Sequence, residues 1–294
     1  MKQSTTEHFT PLESTFDSMT EFDRVFDELN GVHTLPAFTQ YCADYAIDPT
    51  RKQTPEYANA YAAYVEDYAH ARVDEGLMDP SYAALLTMGS HFAAAAYAEG
   101  EVKAMKKNRD WSRDEKKYFH DTLMPQVITY NRQIVDYLYA HPEADTREVS
   151  RLMFATSRSM LDRDDFDDVH DRINALVKGC RTEAMTAHLF DRIGVPYDFG
   201  TVQEDARGGD LVITLNNQRI LVDLKSSLDG MTGVDQEKAL DAVEAGKMYY
   251  VTGHNRFKLF MKFDKGITSA TTDESMDMAV AAQVMRACNE AMKS

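Results

Sequence analysis

The chain has 294 residues, 44% hydrophobic and 27% charged, which suits one large or two medium soluble domains and excludes a disordered polymer. No apolar run approaches the roughly 20 residues that span a bilayer, which argues against a membrane-embedded protein. A net charge of −16 speaks at first sight against a nucleic-acid partner, but the acidity is lopsided: 14 Lys/Arg face 17 Asp/Glu from Leu176 onward (−3), against 18 and 31 before it (−13).

The N-terminal stretch MKQSTTEHFTPLES is polar and lacks the apolar centre of a secretory signal. Cys42, Cys180 and Cys288 are widely spaced and form no CxxC pair. A disulfide framework or a zinc site is therefore not expected, and the chain is assigned to a reducing cytoplasm.

Residues 1–170 are expected to form a helical domain serving recognition or oligomerisation. Tyr57, Tyr61, Tyr64 and Tyr68 recur at steps of four, three and four, one stripe of a helix. A packed face is the expected role of this stripe, with a platform for stacking bases as the alternative. Breaks are expected near Pro49, at Asp79-Pro80 and at His141-Pro142, the last two as helix stops. The acidic run Asp162–Asp168 is no calcium loop, because Phe166 takes a ligand position and the turn glycine is missing; it fits the start of a helix, where acids oppose the dipole.

Residues 171–294 change character. A helix over about 171–193 should stop at Gly194, with Pro196 just beyond. Strands follow in VPYDFGTVQ, DLVITL and RILVDLKSS, then a helix around 235–247, two strands in KMYYVTG and RFKLFMKF, and a last helix over 273–292. The order α-β-β-β-α-β-β-α implies a mixed sheet in an overall α+β protein.

The chemistry concentrates on one hairpin. Asn216-Asn217 tolerate the positive φ of a two-residue turn, and with that turn Asp210 comes opposite Asp223. A two-residue slip would place Asp210 opposite Lys225 instead. Leu221, Asp223 and Lys225 share one strand face while Ile220, Val222 and Leu224 share the other. Two close carboxylates repel, and a hard divalent cation such as Mg²⁺ or Mn²⁺ relieves that repulsion with oxygen ligands alone. A third acid, Glu183, lies in the stripe Leu176, Cys180, Ala187 and Phe190, where an uncompensated carboxylate is costly. It meets either that metal or a partner such as Arg181, Arg192 or Lys225. Glu204 and Asp205 are either auxiliary ligands or a polar turn.

A helix glutamate (Glu183 in GCRTEAMTAHLF), a hairpin aspartate (Asp210 in ARGGDLVITL) and Asp223-Leu224-Lys225 in ILVDLKSS together resemble the PD-(D/E)xK, restriction-endonuclease-like nuclease superfamily. The likeness covers only about 172–265. Asp-x-Lys spacing alone carries little, since Glu101-Val102-Lys103 and Asp114-Glu115-Lys116 share it. Gly209 stands where the family name has proline, and Gln236 is followed by Leu240 rather than the tyrosine of exonuclease-like members.

The resemblance implies an αβββαβ core and a nuclease, a hydrolase of phosphodiester bonds, with DNA the expected substrate. Glu183, Asp210, Asp223 and Lys225 would be catalytic, the three acids and the Leu224 carbonyl holding Mg²⁺ or Mn²⁺. Lys225 would orient the attacking water. Arg207, Gln236, Lys238, Arg256 and Lys258 are candidate substrate contacts, the last two with Lys262 on a basic strand edge. A nuclease-like fold that binds nucleic acid or serves as a scaffold without cutting is the alternative. The N-terminal helices would contact a second copy or a protein partner.

Overall fold

The computed structural model describes residues 36–48, 54–107, 110–157, 166–207, 209–225, 249–253, 256–260 and 274–293. The protein is α+β: helices account for every regular element described before Ile193, and a five-stranded sheet follows. Two compact units divide the chain, Met1–Tyr97 with Glu143–Ile173 and Ala98–Pro142 with Asn174–Ser294. The cut is therefore not the single boundary expected at residue 170. Ala98–Pro142 belongs with the sheet because its helix residues pack on α7 and α8, defined below. No helix among the described residues is long and apolar enough to cross a membrane.

The first unit holds α1 (Pro36–Asp44), α2 (Pro55–Asp74), the start of α3 (Pro80–Lys107) and α6 (Thr146–Ser157). Thr54 caps α2, its hydroxyl accepting from the Tyr57 amide at 3.3 Å, with Pro55 in the first turn where no N–H is needed. The tyrosine stripe packs inward along half its length, Tyr57 and Tyr61 in the core and Tyr64 and Tyr68 half-buried. Tyr57 and Tyr61 are buried, Phe38 meets Tyr57, Tyr61 and Tyr64 edge-on at 5.6, 6.2 and 5.2 Å, and the Tyr61 hydroxyl donates to the Thr156 carbonyl at 3.1 Å.

Asp79-Pro80 is a helix start rather than the expected stop. The Asp79 carboxylate accepts from the amides of Ser81 (2.8 Å) and Tyr82 (3.4 Å), so it caps α3 while Pro80 fixes the first turn. The break near Pro49 and most of the acidic run at 162–168 lie outside the described residues.

In the second unit α4 (Arg113–Tyr118) opens on a capping box between Ser112 and Glu115 and runs through a π-turn (Phe119–Leu123) into α5 (Met124–Ala140). That helix ends at His141-Pro142 as expected. α7 (Phe166–Ile193), which enters this unit at Asn174, starts five residues before the expected 171 and stops at Gly194, whose φ of +71° is one that residues with a side chain rarely adopt. The Val195 amide then returns to the Phe190 carbonyl at 2.9 Å.

β1 (Tyr197–Phe199), a short α8 (Val202–Asp205), β2 (Leu211–Leu215), β3 (Gln218–Lys225), β4 (Tyr249–Gly253), β5 (Arg256–Phe260) and α9 (Glu274–Lys293) complete the unit. The strand order is β1-β2-β3-β5-β4, antiparallel throughout except for the parallel pair β3/β5, so the sheet is mixed. Leu211, Ile213, Ile220, Val222, Phe257 and Leu259 line one face, which packs on Ala187, Leu189 and Phe190 of α7 and on Val284, Ala287 and Cys288 of α9. The helix expected at 235–247 lies outside the described residues.

Candidate active site

Asn216 and Asn217 take φ values of +51° and +61°, the pair that a tight hairpin turn of this twist requires. Leu215 pairs with Gln218, Ile213 with Ile220 and Leu211 with Val222, which is the first of the two registers allowed by the sequence and excludes the slip. Asp210 and Asp223 occupy the next rung, one step beyond the last ladder pair. Leu221 and Asp223 hold the face opposite the core residues Ile220 and Val222, as alternation predicts, and position 225 falls on the same side of the strand by its place in the alternation.

Ladder bonds of an antiparallel pair recur every second residue, so after Val222 the next β3 amide turned toward β2 is that of Leu224. It donates to the Asp210 carboxylate at 2.6 Å. The aspartate side chain thus takes over where the β2 backbone ladder stops, and ties Asp210 to the middle residue of Asp223-Leu224-Lys225.

The absent proline has a local cause. Gly209 is buried, and its amide, which proline would lack, donates to the Glu204 carbonyl at 2.9 Å. A Cβ there would meet Leu221 Cδ2 at 2.9 Å and the Glu204 carbonyl oxygen at 3.0 Å. Next to it, the Gly200 amide donates to the Asp210 carbonyl at 3.2 Å, and a Cβ on Gly200 would collide with the Gly209 carbonyl oxygen.

Glu183 projects from α7 into a desolvated acidic environment, its side chain only 15% exposed. Burial first, and then the negative charge of Asp210, hold its carboxyl up to about 8, outweighing the opposing pull of Arg132. The partner proposed by spacing was Arg181, Arg192 or Lys225. Arg132 of α5 is the one found: its Nη1 lies 3.2 Å from Glu183 Oε1 and its Nη2 3.9 Å from Asp205 Oδ2. The guanidinium carbon sits 4.4 Å from the centre of the Phe199 ring, a cation–π contact. Although the ions touch, neither Arg132 Nη1 nor Glu183 Oε1 makes an aligned hydrogen bond.

Asp205 is drawn into the same environment, since α8 packs on α5; burial raises its carboxyl pKa and Arg132 lowers it. Glu204 is not. It closes a capping box with Thr201 and accepts from Arg219 at 2.7 and 3.0 Å, and that charged bond above all holds its carboxyl down at about 2. Of the two acids before Asp210, Glu204 belongs to a polar turn and Asp205 to the cluster.

The expected substrate contacts divide. Arg207 is exposed just after α8. Gln236, Lys238 and Lys262 lie outside the described residues, as do the side chains of Lys225, Arg256 and Lys258. Arg256 and Lys258 belong to β5, which is no sheet edge: it runs parallel to β3 on one side and pairs with β4 on the other. Backbone pairing sets position 258 beside Asp223 and position 256 beside Leu221.

Arg132 carries the same signal in the sequence as Glu183. Ile128, Arg132, Val135 and Tyr139 step by four, three and four along α5, so a charge stands in an apolar stripe there too. Cys180 is also buried beside this cluster, its Sγ 3.7 Å from the Asn131 carbonyl, and burial pushes its thiol well up, leaving it unreactive. Among the described residues no group of three or more His, Cys, Asp or Glu is arranged to hold a metal ion. No family model matches the chain, and no match was found to a curated protein or to a solved structure.

Proposed function

We propose that the second unit is a metal-dependent phosphodiesterase of the PD-(D/E)xK type that cuts nucleic acid, DNA in the first place. The observation that carries this is the Leu224–Asp210 bond, which fastens the aspartate at the start of the hairpin to the Asp-x-Lys strand at its end. The order α7-β1-α8-β2-β3, in which α8 is a four-residue turn of helix, supports an αβββαβ core, as does a parallel strand beside β3.

The donor set suits Mg²⁺ or Mn²⁺ by its chemistry, although the described side chains as they stand are not gathered into a metal-holding group. Glu183 and Asp210 are oxygen donors, and burial together with its neighbour's charge makes the ionised form of Glu183 costly, a cost that a hard dication removes. Asp210, Asp223 and the Leu224 carbonyl, which strand geometry turns to the same side as the Leu224 amide, would hold the ion together with Glu183. Bound there, a dication lowers the pKa of water and neutralises charge growing on a phosphate. Asp210 is oriented by the Leu224 amide, and Lys225 would steer the nucleophile. The helices of the first unit would supply recognition or self-association.

The test is incubation of the purified chain with double-stranded DNA, single-stranded DNA and RNA in Mg²⁺, Mn²⁺ or EDTA. Cleavage only with a dication is expected. The Arg132–Glu183 contact favours a second reading, a nuclease fold that binds nucleic acid without cutting; binding without turnover on every substrate would select it.

A further inference from the structure

We propose that Arg132 is a built-in counter-cation that competes with a divalent ion for Glu183, so that loading of the site requires the Arg132–Glu183 contact to open; this rests on the metal-dependent reading above. Three observations lead there. Arg132 belongs to α5, outside the α7-β1-α8-β2-β3 segment that carries the acids, yet its guanidinium lies against two of them, Glu183 at 3.2 Å and Asp205 at 3.9 Å. It is largely buried, its side chain 19% exposed, so its charge acts at short range with little screening. The contact with Glu183 is also incomplete, because Nη1 and Oε1 are buried and neither forms an aligned hydrogen bond.

A purely structural buried pair is usually locked by bidentate or well-aligned bonds, since otherwise desolvation exceeds the attraction. Here the guanidinium is held from the other side, over the Phe199 ring at 4.4 Å. That support does not involve Glu183, so the arginine keeps a resting place when the carboxylate turns to another cation. One positive charge beside the acids stabilises the cluster without a metal. It also raises the work of bringing a second, doubly charged ion to the same oxygen.

The experiment measures Mn²⁺ binding to the full chain by calorimetry and by the electron paramagnetic resonance of free Mn²⁺. It compares wild type, Arg132→Gln and Arg219→Gln. Arg132→Gln is expected to bind Mn²⁺ about tenfold tighter or more, as removal of a close competing charge requires. Arg219→Gln removes the same charge from the surface pair with Glu204 and is expected to bind as wild type does. Mn²⁺ should also raise the thermal midpoint of Arg132→Gln more than that of wild type, and should restore folding if this variant does not fold alone.

Equal affinity in wild type and Arg132→Gln, an equal gain in Arg219→Gln, or an Arg132→Gln chain that stays unfolded in Mn²⁺ would each overturn the inference while leaving the metal site standing wherever Mn²⁺ binds. Absence of Mn²⁺ binding in all three proteins would overturn the inference and the metal-dependent function together.

Discussion

The Leu224 amide donates to the Asp210 carboxylate at 2.6 Å, so one side chain serves both as a rung of the sheet and as an acid of the candidate site. These two roles separate by substitution. Asp210→Asn keeps a carbonyl oxygen for the Leu224 amide and should unfold in urea close to wild type, yet lose metal-dependent cleavage. Asp210→Ala leaves that amide unpaired and should cost about 1–3 kcal/mol as well. Equal stability of the two variants would show that the bond adds nothing to the sheet.

The acids carry opposite pH signatures. Glu183, held up to about 8 from an ordinary 4.5, binds more protons folded than unfolded, so its contribution weakens the fold as pH rises from about 4.5 to about 8. Glu204, held down at about 2, stabilises above 4.5 and loses this as pH falls through about 2. Arg219 is 45% exposed, so solvent screening keeps what Glu204 contributes within about 1 kcal/mol. Urea unfolding in EDTA should show stability declining from pH 5 to pH 9, by on the order of a few kcal/mol, with a clearly flatter profile in Glu183→Gln. A slope unchanged by that substitution would remove Glu183 as its source.

The hairpin turn is testable without the chemistry. Asn216→Val or Asn217→Val forces a β-branched residue into positive φ, at a cost of about 1–2 kcal/mol each. Asn217→Gly should be neutral or slightly stabilising. Equilibrium denaturation measures both effects.

Gly200→Ala drives a Cβ into the Gly209 carbonyl, next to Asp210. We expect a loss of more than about 2 kcal/mol in stability, together with loss of cleavage, because the backbone that aims Asp210 has to move. A Gly200→Ala protein with wild-type melting and activity would contradict the described geometry.

Asp223→Ala and Lys225→Ala are expected to reduce cleavage by about 100-fold or more while leaving far-ultraviolet circular dichroism unchanged, as loss of an electrostatic group at the reacting centre does. Full cleavage by both variants would dissociate the activity from the Asp-x-Lys strand.

The elements that were readable from residues alone are those governed by local rules. The Asn-Asn turn set the hairpin register, alternation set which face carries Asp223, and the Gly194–Pro196 pattern set the end of α7. The tyrosine stripe reads as a packed face from its spacing, and Tyr57 and Tyr61 are the half of it that reaches the core. Contacts between distant segments were less legible. Nothing local says that Arg132 reaches Glu183 across 51 positions, or that β5 sits inside the sheet rather than at its edge. Asp79-Pro80 reads as a stop because proline both ends one helix and begins the next, and only the Asp79 capping bonds distinguish the two. Gly209 looked like a departure from a motif until its buried amide and its contact with Leu221 explained why proline does not fit.

A crystal of the full chain soaked in Mn²⁺ and measured at the manganese edge addresses the central claim most directly. The expected result is an anomalous peak about 2.0–2.2 Å from carboxylate oxygens of Asp210 and Asp223, with Glu183 turned from Arg132 toward it. An anomalous map with no peak between these acids, Glu183 still against Arg132 at saturating Mn²⁺, would contradict a metal-dependent nuclease here.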